Sequence, residues 1–204
     1  MQLQMENELV ASVQAFLRNA ADSGIDFFNE AELQHELGYW LRSKVETGLM
    51  VYFERPAKSF FPTMGGKVRK EIDLVIAPAD RSWHFAIELK CPRNGRIPET
   101  MFDACKDLKR LEDLVSTGFR GGLLIMHVND PGFYESGLKT GIYSFFRDGA
   151  QLTGTIKKPT GKKDLEVYIS GSYRVMWESY GEAGRYWLQM VTNKWCHSPQ
   201  PTPG

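Results

Sequence analysis

Three charged residues stand out within two mostly apolar runs: Asp73 in Lys70-Glu71-Ile72-Asp73-Leu74-Val75-Ile76, and Glu88 and Lys90 in His84-Phe85-Ala86-Ile87-Glu88-Leu89-Lys90. Charged side chains are rarely buried unless they are paired or bind a metal. The six residues Pro78 to Trp83 between the runs are turn-forming. So short a connection suits an antiparallel hairpin, because a parallel pairing needs a crossover of a dozen or more residues. A turn centred on Asp80 and Arg81 sets Asp73 opposite Glu88. Side chains alternate along a strand, so Lys90 shares the face of Glu88. Directly opposed Cβ atoms lie about 4.5–5.5 Å apart. Two carboxylates that close repel unless a cation lies between them or one is protonated. Oxygen donors of this kind suit Mg²⁺ or Mn²⁺. The competing reading is a surface hairpin with ordinary cross-strand ion pairs.

Asp73, a spacer of fourteen residues, and Glu88-Leu89-Lys90 resemble the D…(D/E)xK signature of the restriction-endonuclease-like, or PD-(D/E)XK, nuclease superfamily. Ile72 stands where the proline that names the motif would be. The resemblance covers about residues 30–128 and implies an α/β fold with a mixed sheet, an αβββαβ core. It also implies metal-dependent hydrolysis of nucleic-acid phosphodiester bonds. Asp73 and Glu88 would hold Mg²⁺ (or Mn²⁺) with help from the Leu89 carbonyl. Lys90 would orient the attacking water and offset charge at the phosphate. The implied partner is nucleic acid, DNA ahead of RNA. The alternative is a nuclease-fold module without turnover that binds nucleic acid or a protein. Asp107-Leu108-Lys109 also fits (D/E)xK, but its helical spacing removes the hairpin argument. Gly141-Ile142-Tyr143 spells half of the GIY-YIG signature, and no second half follows at the required distance.

The elements that must position these residues are legible around them. Asn29 is a candidate N-cap, with Glu30 and Glu32 in a first turn where the helix dipole favours negative charge. Leu33, Leu37, Trp40, Leu41 and Val45 follow at helical spacing. Glu36 lies at the edge of that apolar face and is the expected additional acidic residue, with Glu32 second. Leu49–Arg55 reads as a first strand, ended by Pro56. The following loop becomes basic at Lys67, Arg69 and Lys70. Lys67 and Arg69, with Arg93 and Arg96 after the motif, are the candidate phosphate contacts. Pro98 opens a helix running to about Ser116, and Gly118 stops it. Asp103, Lys106, Asp107, Lys109 and Arg110 read mainly as its salt-bridged outer face, with some of them within reach of the metal or the nucleic acid. Gly122–Val128 is a continuous apolar run, as in a strand buried on both sides.

A β-rich extension is expected over about 140–195, with strands at Ile142–Arg147 and Leu165–Ile169 and a late hairpin in which Tyr173–Tyr180 and Arg185–Thr192 flank Gly181–Gly184. Its aromatics extend the core, form a homodimer contact or stack on bases, in that order. Residues 198–204 read as a disordered tail, leaving 1–197 as a single domain. Twenty-five basic residues balance 25 acidic ones, which argues against a nonspecific nucleic-acid coater and leaves room for a local basic patch. Three cysteines without metal-ligand spacing suggest a reducing, cytoplasmic setting. No apolar run is long enough to span a membrane.

Overall fold

In the computed structural model, the described residues are 2–44, 48–61, 71–93, 95–135, 137–161, 165–182 and 184–193. Their order is α1 (Gln2–Asp22), α2 (Glu30–Lys44), β1 (Leu49–Pro56), β2 (Glu71–Pro78), β3 (Phe85–Lys90), α3 (Ile97–Thr117), β4 (Gly121–Val128), α4 (Ile142–Arg147), β5 (Leu152–Lys157), β6 (Glu166–Tyr173), β7 (Glu178–Tyr180) and β8 (Gly184–Thr192). Six strands form one mixed sheet in the order β1-β2-β3-β4-β8-β7, and β5-β6 form a separate two-stranded sheet. From α2 to β4 the order is helix, three strands, helix, strand, as the sequence suggests.

β1, β2 and β3 run as an antiparallel meander, whereas β3 and β4 are parallel. A parallel neighbour requires a crossover, and α3 is that crossover. Its 21 residues place a helix over the sheet face that carries Val75, Ala86, Leu124 and Met126. The opposite face, with Leu74, Ile76, Phe85, Ile87, Leu89, Leu123 and Ile125, is covered by α1 and α2. Every residue of β4 is buried, as a central strand sandwiched between two helical layers must be. Gly122 permits the close approach of α3: a Cβ there would meet Leu111 Cδ2 at 2.8 Å. Gly118, at φ 124°, closes α3 with its N–H on the Leu114 and Val115 carbonyls.

Three parts of the C-terminal half differ from expectation. Ile142–Arg147 is a short helix rather than a strand. Its two buried residues, Ile142 and Phe146, are four apart, a spacing that period two and period 3.6 both satisfy. Gly141 at φ 60° turns the chain into the helix. The β-rich extension also splits: β5-β6 packs with α3 and α4, while β8 joins the main sheet beside β4. Tyr173 belongs to β6, which leaves β7 only three residues long. Helix α1 supplies Leu9, Val13, Phe16 and Leu17 to the core. No helix among the described residues is long and apolar enough to cross a membrane. The tail at 198–204 lies outside the described residues.

Candidate active site

The β2-β3 register decides how the three charges meet. Leu74 pairs with Ile87, Val75 with Ala86 and Ile76 with Phe85, so the next rung sets Asp73 against Glu88, as the turn position implies. Asp80 and Arg81 do form the turn: Arg81 has φ 54°, its N–H donates to the Pro78 carbonyl, and the Asp80 carboxylate accepts from the Ser82 N–H. The hairpin is not a surface feature. Glu88 is fully buried and Asp73 is 7% exposed.

Each charge has identifiable company. Asp73 Oδ2 accepts from the Leu89 N–H at 2.7 Å, which ties the carboxylate across the hairpin. Glu88 Oε1 lies 2.7 Å from Arg110 Nη1 on α3. Lys90 Nζ lies 2.8 Å from Asp107 Oδ2, 3.3 Å from Glu30 Oε2, and 2.8 Å from the Leu89 carbonyl oxygen that it donates to. Burial alone would push the lysine toward neutrality. The carboxylates of Asp107, Glu30 and Asp73 outweigh it and hold the Lys90 pKa above the ordinary lysine value. Lys90 is therefore a fixed ammonium, able to donate and to offset negative charge but not to act as a base.

Helix α2 reaches the site by a different residue from the one expected. Glu36 is exposed, and the α2 carboxylate at Lys90 is Glu30. The buried side of α2 is Leu33, Gln34, Leu37, Gly38 and Leu41. At 100° per residue Glu30 falls inside that arc, three residues before Leu33 and seven before Leu37, whereas Glu36 falls outside it. Glu32 is exposed and engaged in capping: its N–H donates to Asn29 Oδ1 at 2.9 Å and its carboxylate accepts from the Phe28 N–H. Gln34, not singled out from the sequence, is 6% exposed and donates to the Asp73 carbonyl at 2.8 Å and to Glu54 Oε1 at 2.7 Å.

Helix α3 supplies two further members, both from the set of which some were expected within reach of the metal or nucleic acid. Asp107 is 4% exposed, against the expectation of a solvated face. It precedes Leu111 by four and Leu114 by seven, both buried, so its position on the apolar stripe was readable from spacing. Arg110 follows one turn later. A cavity of about 350 Å³ opens beside these residues, lined by Lys90, Asp103, Lys106, Asp107 and Arg110. A second cavity continues along α3 past Lys106, Lys109 and Arg110 to Glu166 and Val167 on β6.

Comparison with family models, curated proteins and solved structures finds no match to this chain.

The basic residues expected at the site divide. Lys67 and Arg69 lie outside the described residues. Arg93 Nε donates to the Phe28 carbonyl at 2.9 Å, and its guanidinium pairs with Asp26 at 2.9 Å, which fastens the end of β3 to the segment before α2. Arg96 is exposed at the N-cap of α3. Of the cysteines, Cys91 is buried with its Sγ 3.7 Å from His127 Nδ1. Burial raises its thiol pKa to about 11, so Cys91 is not a nucleophile at neutral pH.

Among the described residues no group of three or more His, Cys, Asp or Glu is disposed to hold a metal. The donor set expected here is two carboxylates and a main-chain carbonyl: Asp73, Glu88 and Leu89. These are hard oxygen ligands, as Mg²⁺ and Mn²⁺ require. Four carboxylates (Glu30, Asp73, Glu88, Asp107) gather around two cations (Lys90, Arg110). The cluster thus carries a formal excess of two negative charges with Arg110 in place and of three with it withdrawn, and a divalent cation would offset most or all of it in either case. On donor chemistry and charge, the residues present fit such an ion.

Proposed function

We propose that this chain is a metal-dependent nuclease with a restriction-endonuclease-like αβββαβ core, hydrolysing phosphodiester bonds of nucleic acid, DNA ahead of RNA. The observation that carries the reading is the register of β2 and β3, which faces Asp73 toward Glu88 and turns Lys90 to the same side. The cavity lined by Lys90, Lys106 and Arg110 gives a phosphate access to that side and supports the same reading.

Asp73, Glu88 and the Leu89 carbonyl would hold Mg²⁺ or Mn²⁺, which when bound polarises a phosphoryl oxygen and acidifies a coordinated water. The chain's own part is positioning. The Leu89 N–H fixes one oxygen of Asp73. Asp107 and Glu30 hold the Lys90 ammonium over the end of β3. From there it donates to the attacking water and offsets the charge that grows on the phosphate. The test is cleavage of single- and double-stranded DNA and RNA with Mn²⁺, with Lys90→Ala as the control. Loss of cleavage in the variant is expected; cleavage at the wild-type rate overturns the assignment.

The Glu88–Arg110 ion pair favours a second reading, a module that keeps this arrangement without turnover and binds nucleic acid or a protein. A melting temperature indifferent to Mn²⁺, with no Mn²⁺ density near Asp73 in soaked crystals, would establish it.

A further inference from the structure

Glu88 is fully buried and expected to be a metal ligand, yet its carboxylate already has a cation at 2.7 Å, the Arg110 guanidinium. A divalent ion and a guanidinium compete for the same oxygen, because each neutralises the same charge. Arg110 has somewhere else to go. It lines both the cavity beside Lys90 and the one running along α3 to β6. Its side chain is 10% exposed, so it already borders solvent, while Glu88 does not. Both cavities border the Arg110 side chain and offer the guanidinium a cleft beside its present position. Asp107, one turn earlier on the same helix, pairs with Lys90, so the contact that places the lysine does not run through Arg110.

Building on the nuclease reading, we infer that Arg110 is a resident counter-ion for Glu88. The divalent cation must displace it, so Arg110 sets the concentration at which the site loads. The arrangement keeps a fully buried carboxylate neutralised when no metal is present, and it makes loading a cation exchange rather than a simple filling.

Isothermal titration with Mn²⁺, in the absence of nucleic acid, tests this. Arg110→Met keeps the length of the side chain and removes its charge. Its Mn²⁺ affinity should exceed that of wild type by about tenfold or more, the scale of outer-sphere effects on metal affinity, while Arg110→Lys should stay near wild type. Equal affinity in wild type and Arg110→Met overturns the inference and leaves the nuclease reading standing, since both then bind metal. Equal tightening in Arg110→Met and Arg110→Lys also overturns it, because charge would not be the cause. Absence of Mn²⁺ binding in every protein overturns the inference and the nuclease reading together. A second measurement needs no variant: in ¹⁵N-arginine-labelled wild type, saturating Mg²⁺ should shift the Arg110 Nε–H resonance and speed its exchange. An unchanged resonance with Mg²⁺ bound overturns the inference.

Discussion

Asp107 Oδ2 lies 2.8 Å from Lys90 Nζ, so the lysine on β3 is aimed by a carboxylate 17 residues later on the crossover helix. The ammonium is held on one side by α3 and on the other by Glu30 of α2, while its neighbour Glu88 is held by Arg110.

Asp107→Asn removes a charge and keeps the shape. We expect cleavage to fall by about 10–100-fold, as for other groups that orient a functional residue. Asp107 is one of the carboxylates that raise the Lys90 pKa, so the alkaline limb of the pH–rate profile should move to lower pH. A purely structural role for Asp107 would lower the melting temperature without moving that limb.

Glu30 and Glu36 offer a direct comparison on one helix. Glu30→Gln should reduce cleavage several-fold, because it loses the ion pair to Lys90. Glu30 is itself partly exposed, so its effect on stability should be under about 1 kcal/mol. Glu36→Gln, on the exposed side of α2, should leave rate and melting temperature unchanged. The opposite ranking in a paired assay would return the helix carboxylate to Glu36.

Glu88→Gln should cost stability as well as activity. It strands the Arg110 guanidinium, and breaking one side of a buried pair costs about 3–5 kcal/mol. Adding Arg110→Met should recover a large part of the loss, because the stranded charge is then gone. Urea denaturation of the two singles and the double, free of metal, measures the coupling.

His127 is buried against Phe27 and Tyr180, with ring centroids 5.5 and 4.4 Å away. Burial lowers its pKa to about 4, with Arg93 adding to the shift and Asp26 opposing it. The unfolded chain takes up a proton near pH 6.5, and the folded one does not until about pH 4. Stability is therefore full above pH 6.5 and falls as the pH drops through that window, by up to roughly 3 kcal/mol. His127→Leu should flatten this part of the pH-stability curve. An identical slope in wild type and variant would count against it.

The hairpin was readable because one short connection fixes both its direction and its register, and those two facts carry Asp73, Glu88 and Lys90 to one side. Glu30 and Asp107 were less visible because a charge is read as solvated by default. Their spacing to Leu33 and Leu37, and to Leu111 and Leu114, places both on apolar stripes. Arg110 carries no such signal: it is at the margin of its helix face, and its role follows only from where α3 lies over the sheet. Ile142–Arg147 misled because six residues hold too few turns to separate the two periods. The β5-β6 sheet depends on packing against α3 and α4, which no local pattern in those strands encodes.

The pairing of β2 with β3 also has a kinetic meaning. A β-hairpin closes in about 1–10 μs, but alone it is at best marginally stable in water. Without α3, Asp73 would face Glu88 without Arg110, and like charges directly opposed weaken a strand pair further. We expect hairpin and crossover helix to open as one cooperative unit. Hydrogen exchange should report this: the Leu89 amide, which donates to Asp73, and the Leu111 amide on α3 should open with the same free energy. Separate opening energies would mean that the hairpin stands without the helix that neutralises it.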